Sequence, residues 1–502
     1  MPRERSPKRR RQSGATMLLL TTMIALVLVP LVGLAIDGTM CYIVQAKLSA
    51  AADGAALGAG RLLGTNANPQ QIAGEFLRAN FPNNFWGSTN LTSNVQVEHT
   101  FSTHTITVDA SVTIPLKFLR VLHYNSATAT ARAVSTRRDT RVMLVLDQSA
   151  SMAPNIGALR TAAASFVNKF TPNVDKLGLV AYGSSAYVAY PTTKSLSTTG
   201  PLAAFANTPP SGQDNILTMI SSLKDGGNTS TAEALYFAWQ ELKTAHSLDN
   251  DTTRMNAIVL FTDGVPNGFT AYFNDPAGTS IKSSSPCKYK TATTADTQMK
   301  LWMAATCISC QSGLQFFNPS KSLGRGIYVP ISRDTTKTAK YWTGNTGEDD
   351  SLSAGNSIKD CTKATNIDWA TNLSRIPPTD LYGTSTVDPD YTKSLLYKTF
   401  TTPYQNNQPT NGYHVGLASW NLVDNVAKRI LADTSISIAI YTIGYTGNGG
   451  VDEVLLKRVA NTLDSGAYNA TWHSGMYVSA GDSNALQAAF STVASEILRL
   501  AH

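Results

Sequence analysis

A chain of 502 residues with 42% hydrophobic content has room for two or more globular domains, and its composition is that of ordinary folded protein. The formal net charge of +7 is mild, and part of it sits in the first eleven residues, at Arg3, Arg5, Lys8, Arg9, Arg10 and Arg11, so the remainder is close to balanced. An apolar stretch follows this basic tail directly. That order argues for membrane topology and against nucleic acid as a partner.

Residues 1–13 read as a cytoplasmic tail. Gly14 to Ile36 carries no charge. At about 1.5 Å per residue it spans roughly 34 Å, enough to cross a bilayer. Pro30 and Gly33 are tolerated in such helices. A cleaved signal peptide would have a shorter apolar core of about 7–15 residues, so a retained anchor is expected. Positive charge before the span and Asp37 after it place the tail inside and everything beyond Asp37 outside, in a periplasm or at a cell surface.

Residues 37–63 continue as an alanine-rich helix, either a simple stalk or a surface for close helix contact. Cys41 sits at the outer membrane edge, free, facing lipid, or linking two chains. Residues 64–137 read as a small β-rich module. A short helix lies within Asn68–Phe85. Thr105–Ile114 and Ala127–Val134 are strands. His99 and His104, placed on opposite strand faces, are not expected to be ligands.

Residues 138–502 carry an α/β pattern. Arg141 to Leu146 is a charged residue followed by an unbroken apolar run, as in a buried central strand, and Asp147 stands at its carboxyl end. Ligands of open α/β sheets bind outside that end. Ser149 and Ser151 follow in the loop before a helix within Asn155–Phe170. A Gly226-Gly227 turn leads through Thr229 and Thr231 into another helix. Asn256 to Thr262 is a second apolar strand, ending at Asp263 and Gly264. One carboxylate and two hydroxyls in a strand-to-helix loop are hard oxygen donors of the kind that suit Mg²⁺. Alone, Asp-x-Ser-x-Ser is also a common Asx turn, and Asp263 a common turn cap.

Pro266 to about His414 is long, polar and rich in Ser, Thr, Asn, Gly and Pro, as expected of an insertion overhanging the acid-bearing loop. Helices follow at Trp420–Leu431 and Asp452–Ala460, strands at Ser435–Gly444 and Met476–Val478, and a closing helix capped by Ser483. Cys287, Cys307, Cys310 and Cys361 all lie in the insertion. An even count in an exported segment suggests two disulfides, with three pairings open. Cys307 and Cys310 are alternatively a redox pair, or part of a four-cysteine zinc site. Glu348-Asp349-Asp350 reads as a solvated turn. No Gly-x-Ser-x-Gly, His-Glu-x-x-His or phosphate loop occurs, so catalysis is not expected.

The three pieces around Asp147, Thr229 and Asp263 resemble the von Willebrand factor A domain with its metal-ion-dependent adhesion site. That resemblance implies a doubly wound, mostly parallel sheet. It also implies that Asp147, Ser149, Ser151, Thr229 and Asp263 hold Mg²⁺ (or Mn²⁺ or Ca²⁺), with Thr231 the other choice of threonine. An acidic side chain of a protein partner would complete the coordination. Arg11 to Arg61 resembles the amino-terminal segment of TadE/TadG-like proteins of Flp (Tad) pilus assembly, through Arg11-Gln-Ser-Gly14, the apolar span, Gly33-Leu-Ala-Ile-Asp37 and the alanine run with Ala52-Asp53. Pilin processing wants a glutamate five residues after the glycine, and Leu19 stands there instead. The resemblance therefore implies an anchored accessory protein among pilus components. The alternatives are a metal-independent scaffold and a thiol-redox enzyme.

Overall fold

The computed structural model describes residues 13–61, 68–100, 103–172, 174–183, 186–190, 215–249, 254–272, 376–390, 412–447 and 450–501, and the backbone at 300–305 and 323–327. Two compact units divide the chain, Met1–Arg137 and Arg138–His502. The four insertion cysteines lie outside the described residues, as do the basic tail and Glu348-Asp349-Asp350.

In the first unit one long helix comprises α1 (Ser13–Met23), a π-helical turn at Ile24–Leu28, and α2 (Val29–Arg61). Its amino-terminal part leaves large apolar side chains such as Leu18, Leu20, Leu31 and Leu34 exposed. A helix from Pro30 to Gly60 is long and apolar enough to cross a membrane by length and composition alone. From Met40 onward, however, its apolar stripe is buried in protein. Val44, Leu48, Ala52, Ala55 and Ala59 on that stripe have no exposure. The apolar surface left free is therefore that of residues 17–36.

The stripe packs on α3 (Pro69–Asn80) and on a three-stranded sheet of β1 (Thr89–Thr100), β2 (Thr103–Pro115) and β3 (Ser126–Arg138). Asn68 caps α3 through its side chain, which accepts from the Gln70 and Gln71 amides, and Pro69 fits the first turn. Along β2, Ile106, Val108, Ala110, Val112 and Ile114 are buried, with Val108, Ala110, Val112 and Ile114 at alternate positions. Alanines on α2 let helix and sheet approach closely. A Cβ added to Gly58 would lie 2.7 Å from the Phe76 ring. The alanine run is thus the core layer of the β-rich module, not a bare stalk. Half-buried Cys41 packs on the same core as a free thiol. The sequence reading placed His99 and His104 on opposite strand faces, but they belong to two different strands. They stand directly opposite each other in the β1–β2 hairpin register.

The second unit is built on a six-stranded sheet. Its strands are β4 (Thr140–Asp147), β5 (Lys176–Tyr182), β6 (Ala186–Tyr190), β7 (Met255–Thr262), β11 (Ile438–Tyr445) and β12 (Tyr477–Ala480), in the order β12-β11-β7-β4-β5-β6. All neighbours are parallel except β5 and β6, so the doubly wound, mostly parallel expectation fits a sheet with one antiparallel edge. α4 (Ile156–Val167), α5 (Ile216–Ser222) and α9 (Ser483–Leu500) cover one side, and α6 (Thr231–Asp249), α7 (Gly412–Leu431) and α8 (Glu453–Val459) the other. Residues of β4 and β7 alternate between the two cores. Val142, Leu144 and Leu146 join one, and Met143 and Val145 the other.

Several boundaries differ from the sequence reading. Asp482, not Ser483, caps α9, because its carboxylate accepts the Ala485 amide while Ser483 is already helical. α7 begins at Gly412, inside the stretch taken as insertion. β8 (Gly268–Tyr272) also falls inside it, pairing with β9 (Lys300–Ala305), which in turn pairs with β10 (Leu323–Ile327). Phe269, Ala271 and Ile376 are buried in the domain core. The polar composition of 266–414 hid these short apolar contributions.

Candidate metal site

β4 is buried along its whole length between β5 and β7. Its register pairs Asp147 with Tyr182 on β5 and Leu146 with Phe261 on β7. Asp147 and the β7 end at Thr262-Asp263 therefore arrive together at the carboxyl edge of the sheet. Asp147 is fully buried, and Asp263 is 2% exposed.

A chain of hydrogen bonds joins the two acids. Asp147 Oδ1 accepts the Ser149 amide at 2.8 Å, and Oδ2 accepts the Thr262 hydroxyl at 2.7 Å. Ser149 Oγ and Ser151 Oγ are 3.0 Å apart, and Ser151 Oγ donates to Asp263 Oδ1 at 2.8 Å. The serines can hold this line because Ala150–Met152 forms a single 3₁₀ turn that brings Ser151 back over the strand end. Ser151 is the exposed member of the set.

The glycine turn is stitched to this loop. Gly226 and Gly227 take φ of 155° and 82°, which only glycine adopts at little cost. Gly226 N–H donates to the Gln148 carbonyl at 2.7 Å, and Ala150 N–H donates to the Gly227 carbonyl at 3.1 Å. Thr229 is pinned from both sides by Asn267, whose Oδ1 accepts the Thr229 amide at 2.7 Å and whose amide donates to the Thr229 carbonyl at 3.1 Å. Gly264 brings Thr229 close, since a Cβ added there would be 3.7 Å from the Thr229 hydroxyl. Thr231 starts α6 and borders a cavity of about 10 Å³ with Thr262 and Gly264, room for one water. Both threonines thus adjoin the Asp263-Gly264 turn.

Burial, and then the nearby charge of Asp263, push the Asp147 carboxyl up to about 7. Two carboxylates in one dry site repel each other, and a proton or a cation relieves that repulsion. The donor set is entirely oxygen, two carboxylates and three hydroxyls, which fits a hard divalent ion that retains some waters. All five residues expected from the sequence reach this one edge. Thr262 was missed as a site residue, although it immediately precedes Asp263. Asn267, which orients Thr229, carried no signal beyond lying in a Pro-Asn-Gly turn.

A second group of acids lies elsewhere in the unit. Oxygens of Asp388, Asp390 and Asp424 lie within 4.8 Å of one another. Lys428 Nζ stands 2.8 Å from Asp388 and 2.7 Å from Asp424, and Arg458 reaches Asp390 at 2.7 Å and Asp424 at 2.6 Å. Two cationic side chains already pair with these three acids, so the cluster is an ion-pair network.

Residues 142–265 match the von Willebrand factor type A domain family, and residues 14–62 match the Flp pilus-assembly TadE/G-like family. The chain carries a von Willebrand factor type A domain behind a TadE/G-like segment. No curated protein matches it. Similar solved structures include the PilB minor pilin from Streptococcus sanguinis, at 13% identity and TM-score 0.32, covering 83% of this chain and 80% of that one. The vWF domain of the type V pili tip protein Mfa5 from Porphyromonas gingivalis is 15% identical with TM-score 0.33, over 73% and 97% of the two chains. The adhesive tip pilin GBS104 from Group B Streptococcus agalactiae is 14% identical with TM-score 0.29, over 80% and 67%.

Proposed function

We propose that the type A domain binds a protein partner through a divalent cation, and that the helix at residues 14–36 anchors the chain in a membrane with its bulk exported. The carrying observation is the hydrogen-bonded oxygen line from Asp147 through Ser149 and Ser151 to Asp263, with both acids buried. Asp147, Ser149, Ser151, Thr229 and Asp263 would hold Mg²⁺, Mn²⁺ or Ca²⁺. When bound, that ion supplies the positive charge which draws an acidic side chain of the partner to an open position. Thr262 holds Asp147 in place by its hydroxyl, and Asn267 holds the Thr229 loop. The exposed position of Ser151 is where a partner gains access. In this reading the chain is a binding module and not an enzyme.

The match over residues 14–62 supports service in Flp (Tad) pilus assembly or surface adhesion. Leu19, in place of the glutamate of processed pilins, supports an anchored accessory protein over an incorporated subunit. A metal-independent scaffold is the competing reading, and one substitution separates the two. Cells producing Asp147→Ala at wild-type amounts should lose piliation or attachment to the degree that a chelator removes it from wild-type cells. Wild-type behaviour of Asp147→Ala cells, with or without chelator, would favour the scaffold.

A further inference from the structure

We propose that the turn spanning Leu116–Asn125 is a second membrane contact, seated in the headgroup–acyl boundary of the same bilayer the amino-terminal helix crosses. This rests on the membrane reading above. The turn joins β2 to β3 and contains one short 3₁₀ turn at Leu119–Leu122. Four large side chains on it project outward: Phe118 is 43% exposed, Val121 82%, Leu122 53% and Tyr124 65%. Lys117, Arg120 and His123 lie exposed between them. Such a cluster in water is a cost, and contiguous exposed apolar side chains mark contact surfaces.

Two observations fix where this turn stands along the helix. Asp37 is buried and accepts the amides of Lys117, Phe118 and Leu119 at 3.1, 2.9 and 2.7 Å. One helical turn earlier, Gly33 leaves room for Phe118, because a Cβ there would lie 2.5 Å from the Phe118 Cβ. Gly33 belongs to the uncharged stretch that ends at Ile36. At about 1.5 Å per residue, Phe118 therefore packs roughly 5 Å inside the end of the apolar span. Interfacial amphipathic elements bury their apolar side about 5–10 Å into this boundary. Tyrosine is enriched at headgroup level, and basic side chains line the polar side of interfacial elements. The apolar cluster is thus continuous with the lipid-exposed face of the helix, and its occupant is the outer-leaflet lipid. Held by Asp37 and by this turn, the β-rich module gains a fixed height above the bilayer.

The test uses the full chain in liposomes of phosphatidylethanolamine and phosphatidylglycerol, with tryptophan emission quenched by brominated acyl chains. The wild type, with its seven tryptophans, gives the baseline. Leu20→Trp reports on the span, Val121→Trp on the turn, and Leu57→Trp on an exposed site about 30 Å farther along the helix. Emission added by Leu20→Trp and Val121→Trp should be blue-shifted and lost in brominated lipid. The Val121→Trp component should fall most when bromine sits near the headgroup end, and Leu57→Trp should be unaffected. If Leu20→Trp is quenched while Val121→Trp behaves like Leu57→Trp, the turn meets water or protein and the proposal fails. If Leu20→Trp also escapes quenching, the membrane reading itself fails.

Discussion

Asp147 and Glu233 are both carboxyls pushed up to about 7, chiefly by burial in each case, but with different consequences. At Asp147 burial is joined by the charge of Asp263, so at the proposed metal site protons compete with the cation. Mg²⁺ affinity should therefore weaken as pH falls through about 7, read as a rising apparent Kd in calorimetry at successive pH values. Glu233 lies apart from that line of oxygens. Burial dominates, while Tyr382 donates to its Oε1 at 2.6 Å and the Ala186 amide to its Oε2 at 2.8 Å. Since the folded state holds this proton more tightly than the unfolded chain, its contribution to stability is greatest below pH 4.5 and declines as pH rises to about 7. A displacement from 4.5 to about 7 corresponds to on the order of 3 kcal/mol. Urea midpoints of Glu233→Gln should show a shallower decline over that window than wild type. An unchanged slope would assign the decline to other groups, such as Asp380. Gly475 makes a steric prediction. A Cβ there would collide with the Ile440 carbonyl, so Gly475→Ala should lower stability by on the order of 3 kcal/mol in the same measurement.

At the scale of elements, the ion-pair network joins residues 376–390 to α7 and α8. Arg458 and Asp424 each have side chains only 2% exposed. Removing the arginine leaves Lys428 to offset all three acids, with Asp424 buried among them, so Arg458→Ala should cost about 3 kcal/mol by urea denaturation, whereas an apolar pair at 424 and 458 should recover much of it. The strands carrying Asp147 and Asp263 were legible because buried parallel strands are written as unbroken apolar runs, and Asp-x-Ser-x-Ser follows the first of them directly. β8 and the amino-terminal turns of α7 were hidden, since they are short buried runs broken by glycine and hydroxyl residues within a polar segment, and no periodicity marks them. The alanine run of α2 was visible as helix, but its burial was not. Small side chains bury as readily against a sheet as against another helix, and only the alternation along β2 shows which. The hairpin pairing of His99 with His104 escaped for the same reason, as one continuous alternating pattern conceals the turn between two strands.

At the scale of the whole molecule, two compact units predict two unfolding events. Only the event belonging to Arg138–His502 should move with divalent cation, by about 2.7 kcal/mol at a hundredfold excess over Kd. Scanning calorimetry of the full chain in detergent, with and without Mg²⁺, reads this directly. Under the proposed function, oxygens brought together by β4, β7 and the glycine turn hold a divalent ion. Its most direct test is titration calorimetry of Mg²⁺ and Mn²⁺ into the full chain, beside the same chain carrying Asp147→Ala. Saturable binding at a single site is expected in the wild type, and its loss in the variant. Equal heats from the two proteins, or none from either, would contradict it.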